Sequence, residues 1–404
     1  MKTYDLIVIG GGAAGFFTAI NVAEQSKNAE ILILEKGKEV LQKVKISGGG
    51  RCNVTHAEFI PNELVKNYPR GERELKGPFH TFMTGDTMQW FEDRGVSLKI
   101  EEDGRIFPTS NSSQSIIECF LRQAKKYKID IRKQQLVTDF NFEDNLCQVI
   151  TKSAVFQSKK LVVATGSNPK IWRLLTEKNC EIIPPVPSLF TFNTKNTIKE
   201  IPGTVQQVSL RILGTSLKSE GPLLVTHWGF SGPAILKLSA WGARTLSTQN
   251  YEFDLQVNWT KDTTFESCQE DLWNYKIENP RQNIAKYPLY DCSRKLWKYL
   301  MESIEISDMQ KWADINKKQL SKMANQLTRA TYSIEGKSTF KDEFVTAGGI
   351  DLKEINFKTY ASKKLPNCYF VGEVLNIDAI TGGFNFQNAW TGGFIAAQHI
   401  VQGL

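Results

Sequence analysis

Apolar residues fall into short continuous runs near both ends of the chain and into alternating or helical patterns in the middle. Leu6 to Ile9 is an unbroken apolar run that stops at Gly10, and Glu30 to Leu34 ends in the same way at Glu35. Runs of this length are the mark of strands buried on both faces. Between them, Phe16 to Gln25 is compatible with a helix. Two more buried strands are predicted at Leu161 to Ala164 and Cys368 to Val371, and a helix at Ala389 to Ile400 that contains Gly392 and Gly393. Residues 190–258 read as short strands, for example Gln206 to Leu213 and Tyr251 to Val257. In the polar stretch 259–330, Trp273, Leu296, Tyr299, Leu300, Ile304 and Leu320 are spaced like buried helix positions. Strands resume near Ala330 to Ile334, and the proline-rich Ile182 to Leu189 reads as a boundary.

The first strand runs into Gly10-x-Gly12-x-x-Gly15 and then the helix, and Glu35 follows Gly15 by 20 residues. The glycine pattern alone is weak evidence. With strand, helix and acidic residue all in place it points to a dinucleotide site. Gly10 allows the tight turn, Gly12 lets the backbone approach a pyrophosphate, and Gly15 lets the helix pack on the sheet. Ala13 and Ala14 lie within this turn as further expected cofactor contacts, and the N-terminal N–H groups and dipole of the helix suit phosphate. Glu35, with Lys36 beside it, is positioned for ribose hydroxyls and disfavours a 2′-phosphate.

Two distant segments extend this site. The strand at Leu161 runs into Ala164, Thr165 and Gly166. The last strand ends in Gly372-Glu373, followed by Asp378 and then Gly382, Gly383, Phe384, Asn385 and Gln387 before the final helix. Contacts split between the chain ends suit a long cofactor such as FAD better than NAD. The Gly382-Gly383 turn, at a helix N-terminus, would face the flavin's electron-rich pyrimidine edge. Val137 completes the expected contacts. No second Gly-x-Gly-x-x-Gly follows a strand, so a separate NAD(P)H domain is not expected.

The stretch KVKISGGGRCN, Lys43 to Asn53, holds Lys43, Ser47, Gly48, Gly49, Gly50, Arg51, Cys52 and Asn53. It lacks the Gly-Lys-Ser/Thr of a nucleoside triphosphate loop. A redox disulfide needs two thiols, and Ser47 stands five residues before Cys52. The expectation is a backbone loop facing the cofactor, with Arg51 as an anion or substrate contact. Arg51 would lower the Cys52 pKa and make it a general acid; the competing reading is an inert, packed cysteine. His227 beside Trp228 is the other candidate acid/base, against a plain structural role, and Ser231 is a candidate helix cap. Arg122, Lys125, Lys126, Lys128, Arg132 and Lys133 form either a solvated helix face or an RNA-contact stripe.

Composition narrows the class without choosing the chemistry. The chain has 404 residues, 41% hydrophobic and 23% charged, as expected of a globular protein with two or three domains. The net charge of +7 is a mild excess. No apolar run is long enough to span a membrane and no signal peptide is evident, so the expectation is a cytoplasmic protein without membrane contact. Seven scattered cysteines without C-x-x-C and four histidines without ligand spacing argue against disulfides and a bound metal.

The motifs GGGAAG at 10–15, SGGGRCN ending at 53, GRIFP at 104–108, VATGS at 163–167, THWGFSGPAIL at 226–236, VTAGGI at 345–350 and VGE with TGGFNFQNAW from 371 resemble one family. It is the bacterial FAD-dependent oxidoreductases of the BaiN/YhiN type, some of them labelled aminoacetone-oxidase-like. SGGGRCN and THWGFSGPAIL are the specific stretches. The resemblance implies an α/β architecture: a Rossmann-like FAD-binding domain similar to glutathione reductase, built from both chain ends, with a β-barrel-like and a small helical insert. The expected divisions are 1–189 and 345–404 for the FAD domain, 190–258 and 330–344 for the barrel-like part, and 259–329 for the helical part. It also implies non-covalent FAD, hydride transfer through flavin N5, and NADH or NADPH as a transient donor. Members similar to steroid enoyl reductases and to ribosomal-RNA dihydrouridine synthases imply reduction of an activated C=C bond, in a small molecule or an RNA base, with ribosomal RNA as a contact. The alternatives are a small-amine oxidase using O₂ and a flavin-bearing RNA-binding or assembly factor without turnover.

Overall fold

The structure is a computed structural model, described here for residues 2–143, 145–338 and 345–404. It divides into two compact units, Met1–Val186 with Lys341–Leu404, and Pro187–Phe340. The first is built on a sheet in the order Ile355–Asn356, Ala361–Ser362, Cys368–Phe370, Val155–Val163, Thr3–Ile9, Ile31–Leu34 and Asp130–Arg132. Its central pairs are parallel, with Leu6 opposite Ile31, Ile7 opposite Leu161 and Tyr369 opposite Val162. The C-terminal strand thus lies two places from the N-terminal one, so one sheet is made from both chain ends. This is an α/β Rossmann-like FAD-binding fold.

The apolar runs explain the layering. Leu6 to Val8 and Leu32 to Ile33 are fully buried, as unbroken apolar runs in the middle of a covered parallel sheet should be. The first helix, Ala13–Gln25, is buried from Ala14 to Ala23 and packs along the last helix, Phe384–Gln402. Gly393 allows that contact: a Cβ there would lie 2.9 Å from Thr18 Oγ1. Both helices start earlier than their apolar period predicts, at Ala13 rather than Phe16 and at Phe384 rather than Ala389. The glycine turns before them hide the boundary.

Residues Ile182–Ser188, expected as a boundary, form a strand paired with Val345–Ile350. Proline is tolerated in a two-stranded pair, where each strand has a free edge.

The second unit carries an antiparallel sheet in the order Ala330–Glu335, Glu252–Asn258, Val205–Ile212, Lys218–Val225, Gly229–Ser231, Thr191–Asn193 and Lys337–Ser338. The stretch 330–338 pairs at both ends of this order, so the sheet curls round on itself. Strand residues Val208, Leu210 and Leu255 share one hydrophobic cluster with helix residues Leu272, Leu296, Trp297, Leu320 and Met323. The strand-rich and helical parts are therefore one packed body. Trp273 is 40% exposed rather than buried, with Lys317 over its ring. Helix Pro233–Trp241 is capped by Gly232 with Pro233 at its first position, so Ser231 is not the cap. Of the expected return strands at 330–344, residues 339–344 lie outside the described residues.

Candidate functional site

Strand Thr3–Ile9 delivers the chain to Gly10, whose φ of +113° makes the tight turn. A Cβ on Gly10 would sit 2.4 Å from the Ala164 carbonyl oxygen, and one on Gly15 would sit 2.1 Å from the Gly10 carbonyl oxygen. Neither position can carry a side chain. A Cβ on Gly12 would meet no heavy atom within 4 Å, so this glycine faces open space at the N-terminus of helix Ala13–Gln25. The helix has no side-chain cap there. That arrangement exposes N–H groups to an anion.

Glu35 is half-buried and oriented from two sides. Its Oε2 accepts from the Gly11 N–H at 2.9 Å and its Oε1 from the Gly37 N–H at 2.7 Å. Each oxygen keeps a second lone pair for another donor. Lys36 points to solvent. The Gln135 N–H bonds the Glu35 carbonyl at 2.8 Å, which brings buried Val137 close in the chain to this end of the site.

At the other end, Gly372 packs on Ala14, where an added Cβ would come within 2.9 Å of the Ala14 Cβ. Glu373 pairs through Oε2 with Lys43, while its Oε1 is buried without a hydrogen-bond partner. Gly166 borders the same carboxylate, which a Cβ there would meet at 3.5 Å. The Thr165 hydroxyl and the Asn53 Oδ1 are likewise buried and unpartnered, and Asn53 Oδ1 lies 2.8 Å from where a Gly383 Cβ would be. A buried polar atom without a partner costs about 1–3 kcal/mol. Three of them among residues independently expected to line a flavin site fit a cofactor with a polyol chain and polar ring edges.

The side chains of three other expected contacts are bonded within the scaffold. Asp378 is fully buried in a two-point ion pair with Arg70. Asn385 closes a loop by accepting from the Ala379 N–H at 3.0 Å and donating to the Ala379 carbonyl at 3.2 Å. Gln387, also fully buried, accepts from the Thr55 and Thr87 hydroxyls at 2.6 and 3.0 Å and donates to Thr391 at 3.1 Å. These side chains fix the first turns of the last helix. Phe384 is buried, and its carbonyl accepts from the Tyr68 hydroxyl at 2.6 Å.

The SGGGRCN stretch leaves its helix at Ser47, where ψ is 149°, and continues through left-handed Gly48 and Gly49. A Cβ on Gly49 or Gly50 would meet nothing within 4 Å, as expected of a loop open to a ligand. Cys52 is fully buried, and burial pushes its thiol up to about 12 despite a bond from Ser47. The guanidinium of Arg51 turns to Glu101, at 2.7 Å, and stacks 3.8 Å from the Phe107 ring centre. The expected activation of Cys52 by Arg51 is therefore not built. Adjacency in sequence does not set side-chain direction.

His56 escaped the sequence reading. It follows the glycine loop on strand Thr55–His56 and stacks on Phe384 with ring centres 4.5 Å apart. Its Nδ1 lies 3.1 Å from the Gly382 carbonyl oxygen, and burial lowers its pKa. The available signal was its position three residues past Asn53.

In the second unit, His227 and Trp228 form the tip of the hairpin between Lys218–Val225 and Gly229–Ser231, closed by the Thr226 N–H to the Gly229 carbonyl at 2.8 Å. His227 is exposed, while Trp228 donates to the Thr191 hydroxyl at 3.2 Å. The basic cluster divides: Arg122, Lys125 and Lys126 lie on helix Ser113–Lys126, whereas Arg132 is on a strand, bonded to Asp130 and Tyr4. Among the described residues no group of three or more His, Cys, Asp or Glu could hold a metal, and no helix is long and apolar enough to cross a membrane.

The family described as "HI0933-like protein Rossmann domain" matches residues 4–399. A Haemophilus influenzae protein, "Ribosomal RNA dihydrouridine synthase", is 28% identical over 98% of both chains. A Clostridium scindens protein, "3-dehydro-bile acid delta(4,6)-reductase", is 23% identical over 97% of both. The 3-ketosteroid delta1-dehydrogenase structure from Sterolibacterium denitrificans shares the fold, with a TM-score of 0.54, 10% identity and full coverage of both chains.

Proposed function

The chain belongs to the HI0933-like Rossmann family of FAD-dependent oxidoreductases, and on that premise we propose that it reduces uracil to dihydrouracil in ribosomal RNA. The coarser statement, a flavin-dependent oxidoreductase reducing an activated C=C bond, is supported by the family match and by relatives named as a dihydrouridine synthase and a bile acid reductase. The finer one is carried by the similarity along 98% of both chains to a ribosomal RNA dihydrouridine synthase. Dihydrouridine differs from uridine by two hydrogens across one ring double bond, so the chemistry needs a hydride and a proton.

Bound FAD supplies hydride transfer at N5. In this proposal Glu35 accepts hydrogen bonds from the adenosine ribose, and the Gly10–Gly15 turn faces the pyrophosphate. Thr165, Glu373 and Asn53, each with a buried unpartnered oxygen, serve the ribityl chain and ring edge. The N-terminus of helix Phe384–Gln402 favours the negative charge of the reduced ring. His227, an exposed ring, is assigned the proton-donor role. Cys52 shapes the loop, because a fully buried thiol near 12 neither meets substrate nor ionises. NADH or NADPH is the proposed donor, one equivalent and one proton being consumed for each base reduced.

The test is to map dihydrouridine in ribosomal RNA from a deletion strain and from the strain complemented with this chain. The modification should vanish and return. Unchanged RNA, with peroxide released from small amines by the purified protein, would replace the proposal with an amine oxidase. A bound flavin that no donor reduces would instead leave an RNA-binding factor.

A further inference from the structure

The last helix begins at a Gly382-Gly383 turn with φ values of +131° and +96°. Two adjacent glycines leave the peptide plane between them poorly restrained by sterics. Residues 54–56 are laced to this helix at three points. The Val54 carbonyl accepts from Trp390 Nε1 at 2.9 Å, and the Thr55 hydroxyl donates to Gln387 at 2.6 Å. His56 Nδ1 meets the Gly382 carbonyl oxygen at 3.1 Å. The Thr55 backbone also packs on Gly383, but of these three hydrogen bonds only that of His56 is made to the glycine turn itself, and only His56 can titrate. Its ring is wedged between Phe384 on one face, at 4.5 Å, and Gly104, where an added Cβ would come 2.7 Å from Nε2.

We propose that His56 is a positioning residue for bound FAD, acting through the Gly382 carbonyl to aim the Gly383 N–H. The peptide unit is planar, so fixing its C=O fixes the direction of its N–H. A carbonyl oxygen only accepts, which assigns the proton to Nδ1. The proposal rests on the FAD reading of the site and goes beyond it. It makes one side chain responsible for how well the turn prefers the reduced cofactor over the oxidised one.

The ring also links that preference to pH. Burial, chiefly, and Arg105 keep His56 below its usual 6.5, while the Gly382 bond, Asp103 and Glu58 oppose them. It is therefore neutral above pH 6.5. Protonation at lower pH keeps the Nδ1 donor and adds a positive charge beside the turn, which favours reduced cofactor further.

The experiment measures the two-electron reduction potential and the FAD dissociation constant of the full-length holoprotein from pH 5.5 to 8, for the wild type, His56→Ala and His56→Asn. Asn retains an N–H donor without a titratable ring. At pH 8, His56→Ala should lower the preference for reduced FAD about tenfold, a potential about 30 mV more negative. His56→Asn should recover most of that loss. Below pH 6.5 the wild-type potential should climb more steeply with falling pH than that of His56→Asn. Should His56→Ala fail to fold, the pH profile of His56→Asn against wild type decides alone. Potentials and pH profiles that coincide across the wild type and the folded variants overturn the inference while leaving the FAD reading intact. A wild-type protein that takes up no FAD overturns both.

Discussion

Replacing Glu35 tests its proposed contact with the adenosine ribose, and the structure makes Ala and Gln informative together. The carboxylate accepts from Gly11 N–H with one oxygen and Gly37 N–H with the other. A hydrogen bond to a charged group contributes about 1.5–3 kcal/mol, so Glu35→Ala should weaken FAD binding roughly 10- to 150-fold. The two N–H groups lose their partner, but the site is only half-buried and water can replace the oxygens. The apoprotein should therefore lose only about 0.5–1.5 kcal/mol. Glu35→Gln keeps the volume and one acceptor oxygen, but turns an NH₂ toward one of the two N–H donors. It should bind FAD no better than Glu35→Ala, within about threefold, despite its closer shape. The assay is titration of apoprotein with FAD, followed by flavin fluorescence, with thermal melts of each apoprotein as control. Affinities within twofold of wild type for both variants would refute the ribose contact.

Three further outcomes follow from particular side chains. Cys52→Ser should retain FAD and turnover, and with the thiol near 12 its thiolate at pH 8 is about one part in ten thousand, so native protein should resist alkylation there; lost turnover with flavin retained would restore a catalytic Cys52. Asp378→Asn leaves the Arg70 charge short of its buried partner and should cost about 3–5 kcal/mol in urea unfolding; a loss below about 1 kcal/mol would mean the pair is not structural. His227→Gln should lower turnover about 10²- to 10⁴-fold with FAD affinity unchanged, and undiminished turnover would remove it as proton donor.

The parts of the site legible in the chain are those set by sterics and by period. Gly10 and Gly15 are glycines because a Cβ at either would overlap backbone oxygen, and that constraint is written in the spacing itself. Glu35 lies where the second strand must end if it pairs in register with the first. The strand-glycine junctions at Ala164 and Val371 are legible for the same reason. Asp378, Asn385 and Gln387 lie in an equally suggestive stretch, yet their side chains serve Arg70, Ala379, Thr55 and Thr87. Three of these four partners are about 300 residues away in the chain or more, so no local pattern could show which polar groups were already satisfied.

The sequence by itself determined a βαβ nucleotide unit and a last strand and helix, from the far end of the chain, that belong to the same Rossmann-like FAD-binding fold. Apolar runs and obligatory glycines encode these through local geometry. Only the tertiary structure decided that Cys52 is buried away from the Arg51 guanidinium, that the proline-rich boundary stretch 182–188 also forms a strand, and that His56 holds the Gly382 carbonyl. Each depends on what a side chain or backbone meets after distant segments pack, and burial, pairing and pKa are properties of that meeting.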